Sequence, residues 1–557
     1  MADLLPPAIV ILGPSALATA RRVQALYPQA SLHRQRGRIS DADDPYGEPY
    51  DDFGSLLRTL YREGRPLLVL CAAGIVIRCL APLLAEKGNE PPVLALAEDG
   101  SAVVPLLGGL AGVNRLAREI AAALQVSPAI TTSGELRFGT CLLDPPAGYV
   151  LADLEQGKHF VSDLLGGEPL RIEGHAPWLD GAELPVDNLA QRVIHISPHP
   201  RPPSANELLI YPQRVAALID RPGPQLHHDL LAALDDAGLA PQALACLMAD
   251  PRWMADANLQ RTAAQLNVPL RFIEHEQHLP AVHRSFAHLR LLLAEAPIDP
   301  AHIGRPRGSL TVVGLGPGAA EFRVPAASLA LQQAEDVLGY ETYVIMAGPF
   351  RTDQCLHHSD NREELQRAQH AFELAASGRR VVVVSSGDPG VFAMAAAVLE
   401  ALEGSADPRW HGVELQVFPG VSAALACAAR AGAPLGHDFC VLSLSDNLKP
   451  WTVIEDRLRH AADADLAMAF YNPISKARPW QLGRALEILR ERRDGDTLVV
   501  LGRDIGRPAE RLSLTSLAAL TPEQVDMRTL VIIGSSTTRQ FPRADGGAWV
   551  YTPRSYP

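Results

Sequence analysis

The stretch "SLTVVGLGPGAAEF", Ser309 to Phe322, joins an apolar run, Leu310 to Val313, to a loop carrying Gly314, Gly316 and Gly318. A strand that ends in such a loop can turn backbone N–H groups toward a phosphate. A G-x-G-x-x-A pattern followed about 20 residues later by an acid is the spacing of dinucleotide binding. Gly314, Gly316 and Ala319 satisfy the pattern, with Glu335 and Asp336 downstream. Three details argue against a pyrophosphate. Pro317 has no N–H to offer. Pro325 falls where the phosphate-facing helix should already be running, and the acidic pair precedes "VLGY" instead of closing a second strand. Taken alone, the loop leaves open a tight turn without a ligand and a close backbone approach to one.

Metal chemistry has weaker support. Glu274, His275, Glu276, His278, His283 and His288 crowd one segment, but the spacing is not HExxH and Pro280 interrupts any shared helical face. A solvated His-rich segment, with no metal, is the expectation. The seven cysteines, Cys71, Cys79, Cys141, Cys246, Cys355, Cys427 and Cys440, are scattered and never spaced as CxxC. That pattern fits reduced thiols in a cytoplasmic chain.

The elements that must position these residues follow an α/β rhythm. "RRVVVVSSGDPGVFAMAAAVLEAL" reads as strand, Gly-Asp-Pro-Gly turn and helix, and "VELQVFPGVSAALACAARAGAPL" as strand, Pro-Gly turn and small-residue helix. "DLAMAFYNPISKARPWQLGRALEIL" and "TLVVLGRDIGRPAERLSL" repeat strand-to-loop. Loops of Gly, Pro, Ser and Asn at successive strand ends can line one cleft at the carboxyl edge of a sheet. The first half alternates in the same way. "AIVILGPSALATARRVQALY" gives strand, turn and helix, and "GVNRLAREIAAALQV" is a helix with Leu116, Ile120 and Leu124 on one face. At 557 residues the chain needs several cores. The net charge of −13 argues against a nucleic-acid binder. No apolar run reaches the ~18 residues of a membrane span, and "MADLLPPAIVILGPS" lacks the basic flank of a secretion signal.

The stretches "VGLGPG", "SSGDPGVF", "FPGVSAALACAARAGAPLGHDF", "SLSD", "PW", "YNPISKAR" and "VDMRTLVIIGSSTTR" follow one another from Leu310 to about Arg539. In that order they resemble the tetrapyrrole (corrin and sirohaem) methyltransferases, which use S-adenosylmethionine. Within the family, "LGYETYV", "GDPGVFAMAAAVLE", "LSLSDNLKPW" and "FYNPISKAR" are most similar to the precorrin-3B C17-methyltransferases. The resemblance implies a two-lobed fold and a homodimer. It also implies methylation of precorrin-3B at C17, with ring contraction to precorrin-4 in cobalamin synthesis. Donor positions carry over as Pro317, Ser386, Gly387, Asp388, Val391, Ser422, Ala423, Asn472 and a backbone position near Ile505. A base for the C20 hydroxyl would be Glu341 or Asp388, and Arg351, Lys476, Arg478 and Arg503 would clamp the substrate's carboxylate arms. This sequence departs from many relatives in "GPGAAE", which has no acid directly after the second glycine. Methylation of another ring carbon, a cobalt-containing substrate, and a tetrapyrrole carrier without turnover stay open as alternatives.

In the first half, "CAAGIVIRCLAPLL", "EPPVLALAEDGSAVVPLLGGLAGVNRLAREIA" and "AITTSGELRFG" resemble the cobalt-precorrin-5A hydrolases, which open a lactone on the corrin periphery. That resemblance implies a His where Leu110 stands. Leucine can neither carry a proton nor polarise water, so an accessory or degenerate domain is the expectation. The expected plan is α/β and multidomain. It has a hydrolase-like domain over 1–143, a middle module over 144–205, a second hydrolase-like module over 206–296, a linker over 297–308 and the methyltransferase over 309–557.

Overall fold

Short apolar runs such as "AIVI", "LLVL" and "VLAL" have no alternation of polar and apolar residues, which is the pattern of parallel strands covered on both faces. In the computed structural model these three runs are central strands of a six-stranded sheet. Residues 5–40, 47–84, 90–202, 204–274, 279–360, 363–475 and 478–555 are described. Two compact units result. The first comprises Met1–Arg307, Ala376–Gly378 and Asp407–Val413, and the second Gly308–Ala375, Arg379–Ala406 and Glu414–Pro557.

The first unit holds three sheets. In the six-stranded sheet the order is Glu48–Tyr50, Ser31–Gln35, Ala8–Ile11, Leu67–Leu70, Val93–Leu96, Val103–Leu107, all parallel except the last strand. Ile9, Ile11, Leu68, Leu70 and Leu94 face one core, while Ala8, Val10, Leu67, Val69 and Val93 face the other. That is the period-2 alternation of a strand expressed in three dimensions. A four-stranded sheet follows in the order Tyr149–Leu151, Glu207–Pro212, Arg192–Ile196, Leu170–Glu173, and a five-stranded one in the order Leu270–Phe272, Leu244–Ala249, Val215–Ile219, Leu289–Leu293, Val282–Ser285.

Two expectations are refined here. The segment after Asp144, whose pattern is weak in the sequence, contributes most of a sheet. Its strands are short, and "LRIE" turns Arg171 and Glu173 into an ion pair of 3.0 Å instead of burying them. The strand Glu207–Pro212 pairs with Tyr149–Leu151 and Arg192–Ile196, so the change between these sheets falls after Pro212 and not at 206. The proline-rich stretch 297–308, read as a linker, is pinned to its own unit. Ile298 N donates to Gln213 O at 2.9 Å, and Arg305 exchanges backbone bonds of 2.8 and 2.9 Å with Phe272. Of the His-rich segment, His275, Glu276 and His278 lie outside the described residues, and His288 pairs with Asp229 at 3.0 Å.

The second unit has two five-stranded sheets and a small three-stranded one. The first is wholly parallel, in the order Cys355–Ser359, Asp336–Tyr340, Arg380–Ser385, Ser309–Gly314, Glu414–Phe418. Pro325 opens the helix Pro325–Gln333 at its first position, where a missing N–H costs nothing. This α-helix starts well after the glycine loop, and a single short 3-10 turn, Ala320–Phe322, follows the loop directly. The second sheet runs Phe439–Ser443, Ala467–Tyr471, Thr529–Ile533, Leu498–Arg503, Arg511–Ser516 and is antiparallel after its first pair. Among the described residues no helix is long and apolar enough to cross a membrane.

Candidate active site

Three neighbouring parallel strands, Arg380–Ser385, Ser309–Gly314 and Glu414–Phe418, end at the same edge, so their following loops lie side by side. They meet through bare backbone. Gly387 N donates to Gly316 O at 2.7 Å and Gly316 N to Gly387 O at 3.2 Å. A Cβ at Gly420 would stand 2.2 Å from Gly387 O, and one at Gly314 would stand 2.6 Å from the same oxygen. Gly316 and Gly387 have φ of +72° and +69°, which L side chains rarely adopt. The glycines in these motifs therefore allow three loops to touch.

Asp388 is the tie between two of them. Its Oδ1 accepts from Gly390 N at 2.8 Å and its Oδ2 from Gly420 N at 3.0 Å. Each carboxylate oxygen is engaged by a backbone N–H, which supports a positioning role more than proton transfer. On its open side Gly387 meets nothing nearer than Ala423 N and Ser422 Cα, both 3.8 Å from where a Cβ would be. That space is a cradle that any side chain would fill. It fits a donor held by backbone groups.

The second lobe closes this edge. Ser422 caps the helix Ala423–Ala431, its Oγ accepting from Leu425 N at 3.3 Å, and the phenol oxygen of Tyr471 accepts from Ala424 N at 2.9 Å. Burial pushes the Tyr471 phenol pKa up, which keeps it protonated. Phe392 stacks edge-on against Tyr471 at 5.5 Å, and Asn472 Nδ2 donates to Ser443 Oγ at 3.0 Å. Ile505 is buried, and the neighbouring Gly506 packs on Pro317, whose Cγ is 2.8 Å from a Cβ built there. Phe392, Asn472 and Asp504 have left-handed backbones, with φ of +54°, +51° and +52°. Such conformations cost on the order of 1 kcal/mol each in non-glycine residues and persist where surroundings over-determine them.

Pro317, Gly387, Asp388, Ser422, Ala423, Asn472 and Ile505 thus belong to one connected set of loops, with Ser386 and Val391 flanking Gly387 and Asp388. The other expected residues do not join it equally. Glu341 is exposed at the first turn of Glu341–Ala347. Arg351 is committed elsewhere: its guanidinium donates to Gln332 O, to Ala334 O at 3.2 Å and to Asp353 at 3.0 Å, holding the C-terminal end of the helix Pro325–Gln333. Arg503 is spent on Asp526 and Asp504, both at 2.8 Å. Arg478 keeps a buried Nη1 without a hydrogen-bond partner among the described residues, and Lys476 lies outside them. No group of three or more His, Cys, Asp or Glu among the described residues is arranged to hold a metal ion.

The family profile for Tetrapyrrole (Corrin/Porphyrin) Methylases matches residues 309–521. The Precorrin-3B C(17)-methyltransferase of Sinorhizobium sp is 54% identical over 249 residues, which is 45% of this chain and 97% of that protein. The chain belongs to the tetrapyrrole methylase family. The cobalamin biosynthesis protein CobIJ of Mycobacterium tuberculosis is 48% identical over 254 residues, covering 45% of this chain and 49% of that protein. A crystal structure of the methyltransferase CobJ has 54% sequence identity, covers 44% of this chain and 100% of that chain, and superposes with a TM-score of 0.42. A separate profile, Cobalamin synthesis G N-terminal, matches residues 55–135.

In a tetrapyrrole methylase the donor is S-adenosylmethionine, which supplies an electrophilic methyl group. The chain's own task is to align donor and carbon nucleophile and to exclude water. The site contributors that the residue pattern did not reveal are Tyr471, Phe392, Ser443 and Asp504. An N–H···O bond to a phenol 47 residues away leaves no local signature. Asn472 and Asp504 carried a partial signal, because Asn and Asp tolerate the left-handed region better than other non-glycine residues. Leu110 lies half-exposed in the turn Gly109–Ala111, just before the helix Val113–Leu124.

Proposed function

We propose that this chain methylates precorrin-3B at C17 from S-adenosylmethionine, with contraction of the macrocycle to precorrin-4, as a step in cobalamin biosynthesis. The observation that carries the reading is the alignment with a precorrin-3B C(17)-methyltransferase along 97% of that protein at 54% identity. The loop set built on Pro317, Gly387, Asp388, Ser422 and Asn472 supports it, because it offers backbone and small side chains around an open cradle. In this reading Asp388 holds the donor loop. Glu341, exposed at the start of the helix Glu341–Ala347, is the candidate to accept a proton from the substrate's hydroxyl. The N-terminal unit serves as an accessory that binds or hands over the tetrapyrrole, and the protein works as a cytoplasmic homodimer.

The test is an assay of the full chain with S-adenosylmethionine and precorrin-3B, read by mass and absorbance spectra. One added methyl at C17 with a contracted-ring spectrum is the expected result. Methylation at another carbon, or substrate binding without release of S-adenosylhomocysteine, overturns it. A probable cobalt-factor III C(17)-methyltransferase of Salmonella typhimurium is 41% identical over 99% of its length. The same assay therefore includes the cobalt-containing substrate, and faster turnover there reassigns the metal state. Acetaldehyde released from cobalt-precorrin-5A would refute the accessory role.

A further inference from the structure

Beside the glycine loop, a cleft of about 700 Å³ opens within the methylase unit. Part of its lining is bare backbone or apolar: Gly318, Ala319, Met346 and Pro508. The charged part is one-sided, with Arg430, Arg507 and Arg528 against the single carboxylate of Glu510. None of the three arginines is in the set expected from the sequence.

Each guanidinium is anchored at one point. Arg507 Nε donates to Pro317 O at 3.1 Å, and Arg528 Nε to Asp504 at 2.6 Å. Arg430 Nε lies 2.9 Å from Glu510, with its guanidinium over the Phe322 ring. The terminal Nη groups of all three make no hydrogen bond among the described residues. A guanidinium fixed through Nε and free at its Nη edge is pre-organised to take a carboxylate or another planar anion in a forked pair. An apolar floor edged by such groups suits a flat apolar ring that carries carboxylate arms.

We infer that this cleft receives the carboxylate-bearing edge of the tetrapyrrole, with Arg507 and Arg430 as specificity-determining clamps. The inference rests on the methyl-transfer reading above and deepens it. Arg507 has a second consequence. Its bond to Pro317 O joins the substrate clamp to the glycine loop that approaches the donor, so an occupied cleft steadies that loop.

The experiment titrates the full chain with uroporphyrin I and its less carboxylated relative coproporphyrin I by fluorescence quenching. Binding of S-adenosylhomocysteine is measured in parallel. Wild type binds uroporphyrin more tightly, and the preference shrinks with salt, as expected for half-exposed charges. Arg507→Gln weakens uroporphyrin binding by about tenfold and coproporphyrin binding less. Arg507→Lys restores part of the loss. Arg430→Gln makes no change at Pro317 and lowers uroporphyrin affinity without altering S-adenosylhomocysteine binding, which separates clamping from loop damage. Wild-type uroporphyrin affinity in both glutamine variants overturns the inference. So does a wild-type chain that does not discriminate the two porphyrins. A wild-type chain that takes uroporphyrin with the expected arginine dependence but does not bind S-adenosylhomocysteine supports the cleft and counts against methyl transfer.

Discussion

Asp388 offers the sharpest test of how the donor loop is held. Its two oxygens accept one backbone N–H each, from Gly390 at 2.8 Å within its own loop and from Gly420 at 3.0 Å in the next. A hydrogen bond to a charged group contributes about 1.5–3 kcal/mol, and a half-buried site sits at the lower end. Asp388→Ala removes both, so roughly 3 kcal/mol of restraint on the loop geometry is lost. If that cost falls on the aligned complex, it corresponds to about a hundredfold in kcat/KM. Asp388→Asn keeps a carbonyl oxygen that satisfies one N–H and opposes the other with an NH2 group. Its loss should be smaller, about tenfold. Release of S-adenosylhomocysteine is followed at limiting and saturating donor, with the thermal midpoint measured alongside. Wild-type kinetics in Asp388→Ala would refute the tie. Equal losses in the alanine and asparagine variants would refute it differently, because they would mark the carboxylate as a proton acceptor.

Gly420→Ala places a methyl 2.2 Å from Gly387 O and 2.9 Å from Gly314 Cα, so methyl transfer should collapse. Gly546→Ala, with φ of +85° and nothing within 4 Å, should cost only about 1 kcal/mol of stability in a melting experiment. Glu455 accepts from Arg484 Nε and Trp451 Nε1, both at 2.9 Å, and from Arg459, joining the helices Trp451–Asp463 and Gln481–Arg490. These partners, Arg484 first, hold its carboxyl at about 2, below the ordinary 4.5. A depressed carboxyl stabilises the fold above its unfolded pKa and stops doing so as pH falls through the folded one. Wild type should therefore lose stability between about pH 4.5 and 2, and Glu455→Gln should lose less across that window in urea titrations. Burial raises the thiols of Cys71 to about 11 and of Cys246 and Cys427 to about 12, whereas Cys355 is exposed. Iodoacetamide at neutral pH should label Cys355 first, and early labelling of Cys427 would contradict its placement under Gly502.

What the amino-acid sequence determined by itself was the grammar of the site. Continuous apolar runs gave parallel strands buried on both faces. Pro317 and Pro325 argued against a pyrophosphate cradle, and the glycines of "GLGPG", "GDPG" and "FPG" marked where loops must approach one another. These are local matters of φ, of a missing N–H or of a missing Cβ, and a linear string carries them. The tertiary structure alone decided the partners. Asp388 meets Gly420 32 residues away, and Arg507 reaches Pro317 across 190. Sheet order, not spacing, set which arginines face the cleft. Arg351 and Arg503, each beside an acid in the sequence, were consumed by those acids and by helix-end carbonyls, whereas Arg430, Arg507 and Arg528 kept their Nη edges free. The weak pattern after Asp144 likewise became a sheet because Glu207–Pro212 pairs with Tyr149–Leu151 on one side and Arg192–Ile196 on the other, a pairing that no local run of residues displays.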